Sequence, residues 1–402
     1  MNKDITIMGL GYIGLPTAAL LACQGFNVKG YDIKKSVTDT INQGNIHIVE
    51  PNLDEYVKRA IELKNLKAYD TPQIADIYMI CVPTPFYNDT SPPSPNIELV
   101  LSAAKEISKL LKPHDMVILE STSPVGTTEK IADLFISEGV NIDLINIAYC
   151  PERVLPGNIM KELIDNDRII GGYTSGSSSI ISEFYKTFVS GNVFETDHKT
   201  AEMCKLTENS FRDVNIAFAN ELSILCANES IDVWELISLA NMHPRVDILQ
   251  PGTGVGGHCI AVDPWFIVSK DPDNSKLIKS AREVNNNKTL WVVDKIKSTI
   301  KNFKFIHDRN PIISCLGLSF KPNIDDLRES PAINVVNMLL DCDLKPMVVE
   351  PNIDNHDRYT LVSLEEAKCN SDIIFILVKH DEFISLSNKD VEVIDFCGAL
   401  KN

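Results

Sequence analysis

Short apolar runs alternate with longer amphipathic ones through the first third of the chain. Asp4–Met8 is an apolar strand, the glycine turn Gly9-Leu10-Gly11-Tyr12-Ile13-Gly14 follows it, and Thr17–Cys23 has the pattern of a helix. Pro16 suits the first turn of that helix, where a missing N–H costs no hydrogen bond. Asn27–Tyr31 is the next strand and ends in Asp32. Further strands are predicted over Asp76–Val82, Met116–Leu119 and Ile145–Tyr149, with a Pro/Ser/Asn loop at 88–95 and a helix over Asn96–Leu111. Strands alternating with helices predict βαβ units and a parallel sheet.

Beyond Asp197 the pattern changes. Residues 200–228 hold no glycine or proline and read as one long helix, capped by Thr196 or Asp197. Leu206, Val214, Ala217 and Leu225 fall on one face, while Lys205, Asn209 and Arg212, at i, i+4 and i+7, share the opposite one. Asp232–Ala240 is a second helix, a polar loop and the glycine-rich Pro251–Pro264 follow, and Leu277–Ile300 is helical again. After a polar, basic stretch at 301–311, the strand Ile312–Leu316, the helix Pro331–Leu340 and the strands Met347–Val349 and Ile373–Val378 restore the βαβ pattern, now without a GxGxxG turn. The fold class expected is α/β: two Rossmann-like doubly wound domains joined by a helical middle domain with a long central helix. The domains would be residues 1–196, 197–300 and 301–402.

Composition narrows the function. A net charge of −17 argues against nonspecific nucleic-acid binding, which needs a basic footprint. It also means that an anionic substrate has to be held by a local cluster of cations. Ten cysteines spread along the chain fit a reducing compartment rather than a disulfide scaffold. There is no basic leader after Met1 and no apolar run long enough for a bilayer, so a cytoplasmic protein without membrane contact is expected. No metal site is expected.

The glycine turn carries the first chemistry. A GxGxxG between a strand and a helix, with an acid about 20 positions on, is the dinucleotide fingerprint. Gly9 makes the tight turn, Gly11 lets a pyrophosphate approach, and Gly14 lets helix and strand pack closely, with the helix N-terminus facing the phosphates. Asp32 would accept from a ribose 2′-hydroxyl and repel a 2′-phosphate, which favours NAD; Lys34 and Lys35 weigh the other way. Thr84 and Thr122 lie at strand ends, where open α/β sheets bind ligands, but spacing alone reads them equally well as helix caps. Glu152 beside Arg153 is either a structural ion pair or a group for acid–base and phosphate work. Lys205, Asn209 and Arg212 form either a solvated face or a grip for an oxyanion or phosphate, and His243 and Arg245 add two donors.

Gly252, Gly254, Gly256 and Gly257 precede Cys259, with Asp263 just beyond. This is either a turn before a buried cysteine or a loop presenting a nucleophile. Oxidising an alcohol to a ketone needs no cysteine. An aldehyde that must go on to the acid does use one, through a thiohemiacetal and a thioester, with Lys205 and Asn209 as donors to the developing alkoxide. A silent NAD-binding or assembly protein would need none of Lys205, Asn209, Cys259 and Asp263, and a one-step hydroxyacid dehydrogenase would have no use for Cys259.

Over essentially its whole length the chain resembles the UDP-glucose/GDP-mannose dehydrogenase family. The resemblance lies in GLGYIGLP (9–16), VPTP (82–85), ESTSPVGT (120–127), YCPERVLPG (149–157), TAEMCKLTENSFRDVNIAFANEL (200–222), GVGGHCIAVDP (254–264) and GLSFKPNIDDLRESP (317–331). IHIVEP (46–51), NMHPRVDILQPG (241–252) and IAVDPWFIV (260–268) set it apart from the UDP-glucose branch. The resemblance implies NAD-dependent, four-electron oxidation of carbon 6 of UDP-N-acetyl-D-mannosamine to the uronate. That product would supply a bacterial surface polysaccharide of the enterobacterial common antigen type, with UDP-N-acetylglucosamine or UDP-glucose as the alternative substrate. By matched position Cys259 is the nucleophile, Lys205 the proton donor and acceptor with Asn209 beside it, and Asp263 and Glu152 assist proton transfer and thioester hydrolysis. Tyr12, Ile13, Asp32, Thr84 and Thr122 fall at NAD contacts. Arg153, Val154, Lys205, Asn209, Arg212, Gly256, Phe320 and Lys321 fall at the nucleotide-sugar site. His243 and Arg245 resemble substrate contacts from a neighbouring subunit, and Arg328 a cofactor contact across subunits. A homodimer or higher homo-oligomer with shared sites is therefore implied, joined in part by the helix face around Leu206, Val214 and Leu225. The tail after Val391 matches less well and takes no role from the resemblance.

Overall fold

The computed structural model describes residues 3–87, 90–257, 259–386 and 391–400, so residues 88 and 89 of the 88–95 loop lie outside it. The chain divides into two compact units, residues 1–207 and 208–402.

In the first unit the strands are β1 (Asp4–Met8), β2 (Asn27–Tyr31), β3 (Leu66–Tyr69) and β4 (Ile77–Ile80), a short antiparallel ribbon of β5 (Phe86–Tyr87) and β6 (Ser94–Pro95), then β7 (Met116–Leu119), β8 (Asn146–Tyr149), β9 (Arg168–Gly172) and β10 (Val193–Asp197). Eight of them form one sheet in the order β10-β9-β8-β7-β4-β1-β2-β3, parallel throughout except at β8–β9. Successive residues serve opposite faces: Ile77, Met79, Met116 and Ile118 join one apolar cluster, and Tyr78, Ile80, Val117 and Leu119 the other. A parallel sheet covered on both faces needs apolar residues at every position, which is why these strands read as continuous apolar runs. The strand order reverses at β1, between β2 and β4, opening the crevice where such sheets bind ligands. β9 and β10 carry no such run. The first opens on Arg168 and ends in two glycines, and the second is a half-exposed edge strand.

The helix His198–Glu229 starts in the first unit and continues into the second. Asp197 accepts from the Thr200 N–H at 3.0 Å and its hydroxyl at 2.6 Å, so it is the cap. The apolar face expected to help join subunits is buried in part. Leu206 and Ala217 are buried, whereas Leu225 is 54% exposed, along with Phe218 at 52% and Phe211 at 67%. The inward positions of the second unit's share of this helix include Asp213, Asn220 and Ser223, all buried and polar. They face the helix Lys276–His307, which runs two turns past the expected end because Phe303 still packs on the core. Arg282 Nη1 donates to Asp213 Oδ1 at 2.6 Å, Asn285 Nδ2 to the same oxygen at 2.8 Å, and Asn220 Nδ2 to Asn285 Oδ1 at 2.9 Å. Lys288 Nζ donates to Ser223 Oγ at 2.5 Å, and burial pushes this lysine down to about 7.

The second unit's sheet has β11 (Ile313–Leu316), β12 (Met347–Val349), β13 (Ile373–Ile376) and β14 (Glu392–Asp395) in the order β12-β11-β13-β14, all parallel. Ile313, Cys315, Ile373 and Phe375 face Val292, Ile296 and Ile300 of the long helix; Leu316, Ile374 and Ile376 serve the other face. Among the described residues no helix is long and apolar enough to cross a membrane.

Candidate active site

In the first unit the glycine turn follows β1 at the crevice. Gly9 has φ +92°, and a Cβ there would meet Cys81 O at 2.9 Å. A Cβ on Gly14 would strike Gly9 O at 1.8 Å, so the helix Gly14–Cys23 can start this close to the turn only from a glycine. At Gly11 a Cβ would meet nothing within 4 Å. Packing inside the chain therefore does not require glycine at this position, whereas a ligand lying on the backbone does. The helix has no acid in its first turn and no side-chain cap, and although Leu15 N and Thr17 N donate to Gly11 O and Ile13 O, its positive end faces the turn, which suits an anion. Asp32 is half-buried and accepts from Leu10 N at 3.1 Å and Lys34 N at 2.9 Å. Lys34 and Lys35 are exposed, and Tyr12 and Ile13 pack partly on the core. This constellation fits a dinucleotide with a free ribose 2′-hydroxyl.

Hydroxyls stitch the next two strand-end loops together. Thr84 Oγ1 donates to Thr122 O at 2.6 Å, and Ser121 Oγ to Val82 O at 2.7 Å. Glu202 on the long helix holds the far end of the second loop, accepting from Gly126 N at 2.7 Å and Thr128 N at 2.8 Å. Behind β8, Arg168 Nη1 donates to Glu152 Oε2 at 2.6 Å, both groups nearly fully buried. Arg153 N donates to Glu152 Oε1 at 2.7 Å, so the Glu152 side chain is engaged at both oxygens. Its carbonyl accepts from Lys205 Nζ at 2.8 Å. Arg153 Nη1 donates to Asp167 O at 3.2 Å, and Val154 packs against the core. Glu120, beside this pair, accepts from Tyr185 OH at 2.6 Å; burial and the Glu152 carboxylate push its pKa up to about 7. Glu50 of IHIVEP accepts from Gly157 N and Ile159 N at 2.8 Å each, tying that segment to the loop that follows Glu152.

The second unit holds the cysteine loop. Gly252 N donates to Asn220 Oδ1 at 2.9 Å and Thr289 Oγ1 to Thr253 O at 2.9 Å, so the polar interior between the two long helices fixes the loop's start. A Cβ on Gly256 would meet Glu329 O at 2.4 Å, and one on Gly257 the Phe320 ring at 2.7 Å. The glycines therefore let this run lie against the segment that carries Phe320. His258 lies outside the described residues. Cys259 is exposed. Its carbonyl accepts from Val262 N at 3.1 Å and Asp263 N at 2.8 Å, which turns the chain into the helix Asp263–Lys270. Asp263 is buried, and Asn209 Nδ2 donates to its Oδ2 at 2.5 Å. Asn209 and Asp263, both proposed from sequence, are thus bonded to each other beside the cysteine's own turn.

The remaining predicted residues are more exposed. Arg212, His243 and Arg245 are exposed, with Arg245 N donating to His243 Nδ1 at 3.3 Å. Phe320 and Lys321 are half-buried in the loop after β11. The Arg328 guanidinium grips Asp326, with Nη2 to Oδ2 at 2.6 Å. Sequence reasoning missed Glu50, Glu120, Arg168, Glu202, Asp213, Asn220, Glu350 and His380. One signal was available: Glu350 directly follows the second strand of its sheet, as Asp32 does in the first.

Family models described as the NAD binding, central and UDP binding domains of the UDP-glucose/GDP-mannose dehydrogenase family match residues 3–189, 199–287 and 314–401. The UDP-N-acetyl-D-mannosamine dehydrogenase of Escherichia coli K12 is 52% identical, covering 98% of each chain. An NDP-N-acetyl-D-galactosaminuronic acid dehydrogenase of Ralstonia nicotianae is 49% identical over 98% of this chain and 96% of that one. Among solved structures, a UDP-D-ManNAc dehydrogenase of Pyrococcus horikoshii superposes with a TM-score of 0.91 at 37% identity, over 99% of this chain and 96% of its own.

Proposed function

The chain belongs to the UDP-glucose/GDP-mannose dehydrogenase family, and on that premise we propose that it oxidises carbon 6 of UDP-N-acetyl-D-mannosamine to the uronate. The observation that carries the chemistry is the presentation of Cys259: an exposed thiol at the end of a glycine run, with its turn anchored beside a buried Asn209–Asp263 pair.

Bound NAD, held at Gly9–Gly14 and Asp32, supplies the hydride acceptor, one molecule for each of two oxidations. At each oxidation the proton of the carbon 6 hydroxyl passes to Lys205, and Lys205 and Asn209 donate to that oxygen as it carries charge. The Lys205 ammonium is set by the Glu152 carbonyl, and Arg168 holds Glu152 in turn. Glu152 therefore acts by position, with its carboxylate committed inside the chain. Cys259 Sγ adds to the aldehyde carbon to form a thiohemiacetal, whose oxidation leaves a thioester. Water then attacks the acyl carbon, the C–S bond breaks, and the carboxylate leaves as the thiol is restored. Asp263 takes the proton of that water. One water is consumed for each uronate.

On this reading residues 1–196 hold NAD, 197–300 carry the cysteine loop and the subunit join, and 301–402 hold the UDP moiety. The exposed stripe Phe211, Phe218 and Leu225, spaced seven residues apart, supports a homodimer or higher oligomer, because a row of large apolar side chains calls for cover. His243, Arg245 and Arg328 would then serve a neighbour's site. The protein works in the cytoplasm and supplies a bacterial surface polysaccharide of the enterobacterial common antigen type. The test is NADH release with UDP-N-acetylmannosamine, its carbon 2 epimer UDP-N-acetylglucosamine, UDP-N-acetylgalactosamine, UDP-glucose and GDP-mannose. The highest kcat/KM is expected for the manno epimer. Preference for an epimer moves the substrate assignment to that sugar, and no release with any UDP-sugar refutes the proposal.

A further inference from the structure

His380 and Glu350 have no part in the chemistry above, yet both are buried, at 0% and 4% exposure. Glu350 directly follows β12, and His380 lies four residues past the end of β13, with β11 paired between those strands. The loop leaving β11, which carries Phe320 and Lys321, thus emerges between them.

The two side chains fasten that loop at both ends. Glu350 Oε2 accepts from Leu318 N at 2.7 Å and Ser319 N at 3.0 Å, while its Oε1 accepts from Asn352 N and Nδ2, both at 3.0 Å. His380 Nε2 stands 3.1 Å from the same Oε2 and 3.3 Å from Ser319 Oγ. Asn323 N donates to His380 Nδ1 at 2.9 Å, and Asn352 Nδ2 to the same nitrogen at 3.1 Å. Two donors aimed at Nδ1 make it the ring's acceptor, so Nε2 donates to Glu350 while Nδ1 accepts from the loop's far end. Ser319 Oγ donates to Lys321 O at 2.7 Å, and Asp381 N to Asn323 Oδ1 at 3.1 Å. These bonds surround Asn323, which sits at φ +59°, a left-handed conformation that asparagine tolerates better than most residues. Phe320, between the fastened ends, in turn backs Gly256 and Gly257.

We propose that the buried His380–Glu350 pair is a positioning device that presets the loop 318–323, so that Phe320 and Lys321 meet the nucleotide sugar already in place. The proposal rests on the reading that this unit holds the UDP moiety. A preset loop loses little freedom when a ligand arrives, whereas a released loop must be ordered by the ligand at the expense of affinity.

The test is calorimetric titration of the full chain with UDP and, separately, with NAD. H380A is expected to weaken UDP about tenfold while NAD affinity stays within about twofold, and H380Q, which keeps an N–H towards Glu350, to recover part of the loss. UDP affinity equal to wild type in a folded H380A overturns the proposal. A wild-type chain that binds no UDP refutes the family-based reading instead, so the two failures are told apart. Hydrogen exchange on the ligand-free wild type needs no variant. The Leu318, Ser319 and Asn323 amides should already be protected and gain little with UDP. Amides that exchange freely until UDP is added overturn the proposal even if H380A does not fold.

Discussion

Gly9 N donates to Tyr31 O at 2.8 Å in the first sheet, and Gly317 N donates to Val349 O at the same distance in the second. The correspondence continues residue by residue. Leu10 N meets Asp32 and Leu318 N meets Glu350; Lys34 N and Asn352 N return to the same acids from two residues on. Both crevices are thus the same strand–turn–strand device with an acid at the end of the second strand. They differ in what that acid has left to give. Asp32 is half-buried and takes backbone bonds from two residues, leaving acceptor capacity for a ribose. Glu350 is buried and its oxygens are taken up by Leu318, Ser319, Asn352 and His380. The turns differ to match. After Gly9 the helix begins at Gly14 and brings its positive end to the turn; after Gly317 the helix waits until Pro331, and the intervening loop presents side chains. One crevice offers a ligand its backbone, and the other spends its acid on shaping a loop.

The largest expected effect belongs to neither acid. Cys259→Ser should lower turnover by roughly 10³-fold or more, because a serine hydroxyl is far less nucleophilic at neutral pH than a thiolate. NAD and UDP should still bind, which isolates the two crevices from the chemistry. Turnover near wild type would remove the covalent step from the account.

Glu350→Ala comes next. It strands buried N–H donors, so unfolding in urea should show a loss of about 3 kcal/mol or more, with UDP binding lost alongside. Burial alone would raise this carboxyl, but hydrogen bonds from His380 and the Leu318 N–H hold it at about 2, against 4.5 for a free glutamate. The folded value is the lower one, so its stabilisation is present above 4.5 and disappears as pH falls towards 2. Glu350→Gln should flatten that acid limb of the stability curve, by on the order of 2–3 kcal/mol. An unchanged limb would mean that the carboxylate is not held as described.

Asp32→Ala should be the mildest, with under about 1 kcal/mol of stability lost but roughly tenfold weaker NAD and a narrower preference over NADP. A loss of stability equal to that of Glu350→Ala would erase the contrast between the two acids.

Much of this was legible in the sequence, for physical reasons. Strands such as Ile77–Ile80 and Met116–Leu119 serve two buried faces and so announce themselves as apolar runs. The dinucleotide turn is local, because every part of it lies between Gly9 and Asp32. Lys205 and Asn209 stand one helical turn apart, and Cys259 closes a glycine run. What stayed hidden depends on distant partners. Arg168 looks like an exposed strand end until Glu152 is found beside it, and His380 lies 57 residues from the Asn323 amide it receives. The long helix is a different case. Its stripe of Phe211, Phe218 and Leu225 points outward, and its inward positions are polar because the Asp213 carboxylate accepts from Arg282 and Asn285 and the Asn220 amide oxygen from Gly252 N. Periodicity locates an apolar face but does not say whether the chain itself covers it.

The measurement closest to the central claim is a count: NADH formed per nucleotide sugar consumed, with the product identified. Two NADH are expected for each UDP-N-acetylmannosamine, with a carboxylate at carbon 6. One NADH per sugar, with the aldehyde released, would contradict that claim and leave Cys259 without a role.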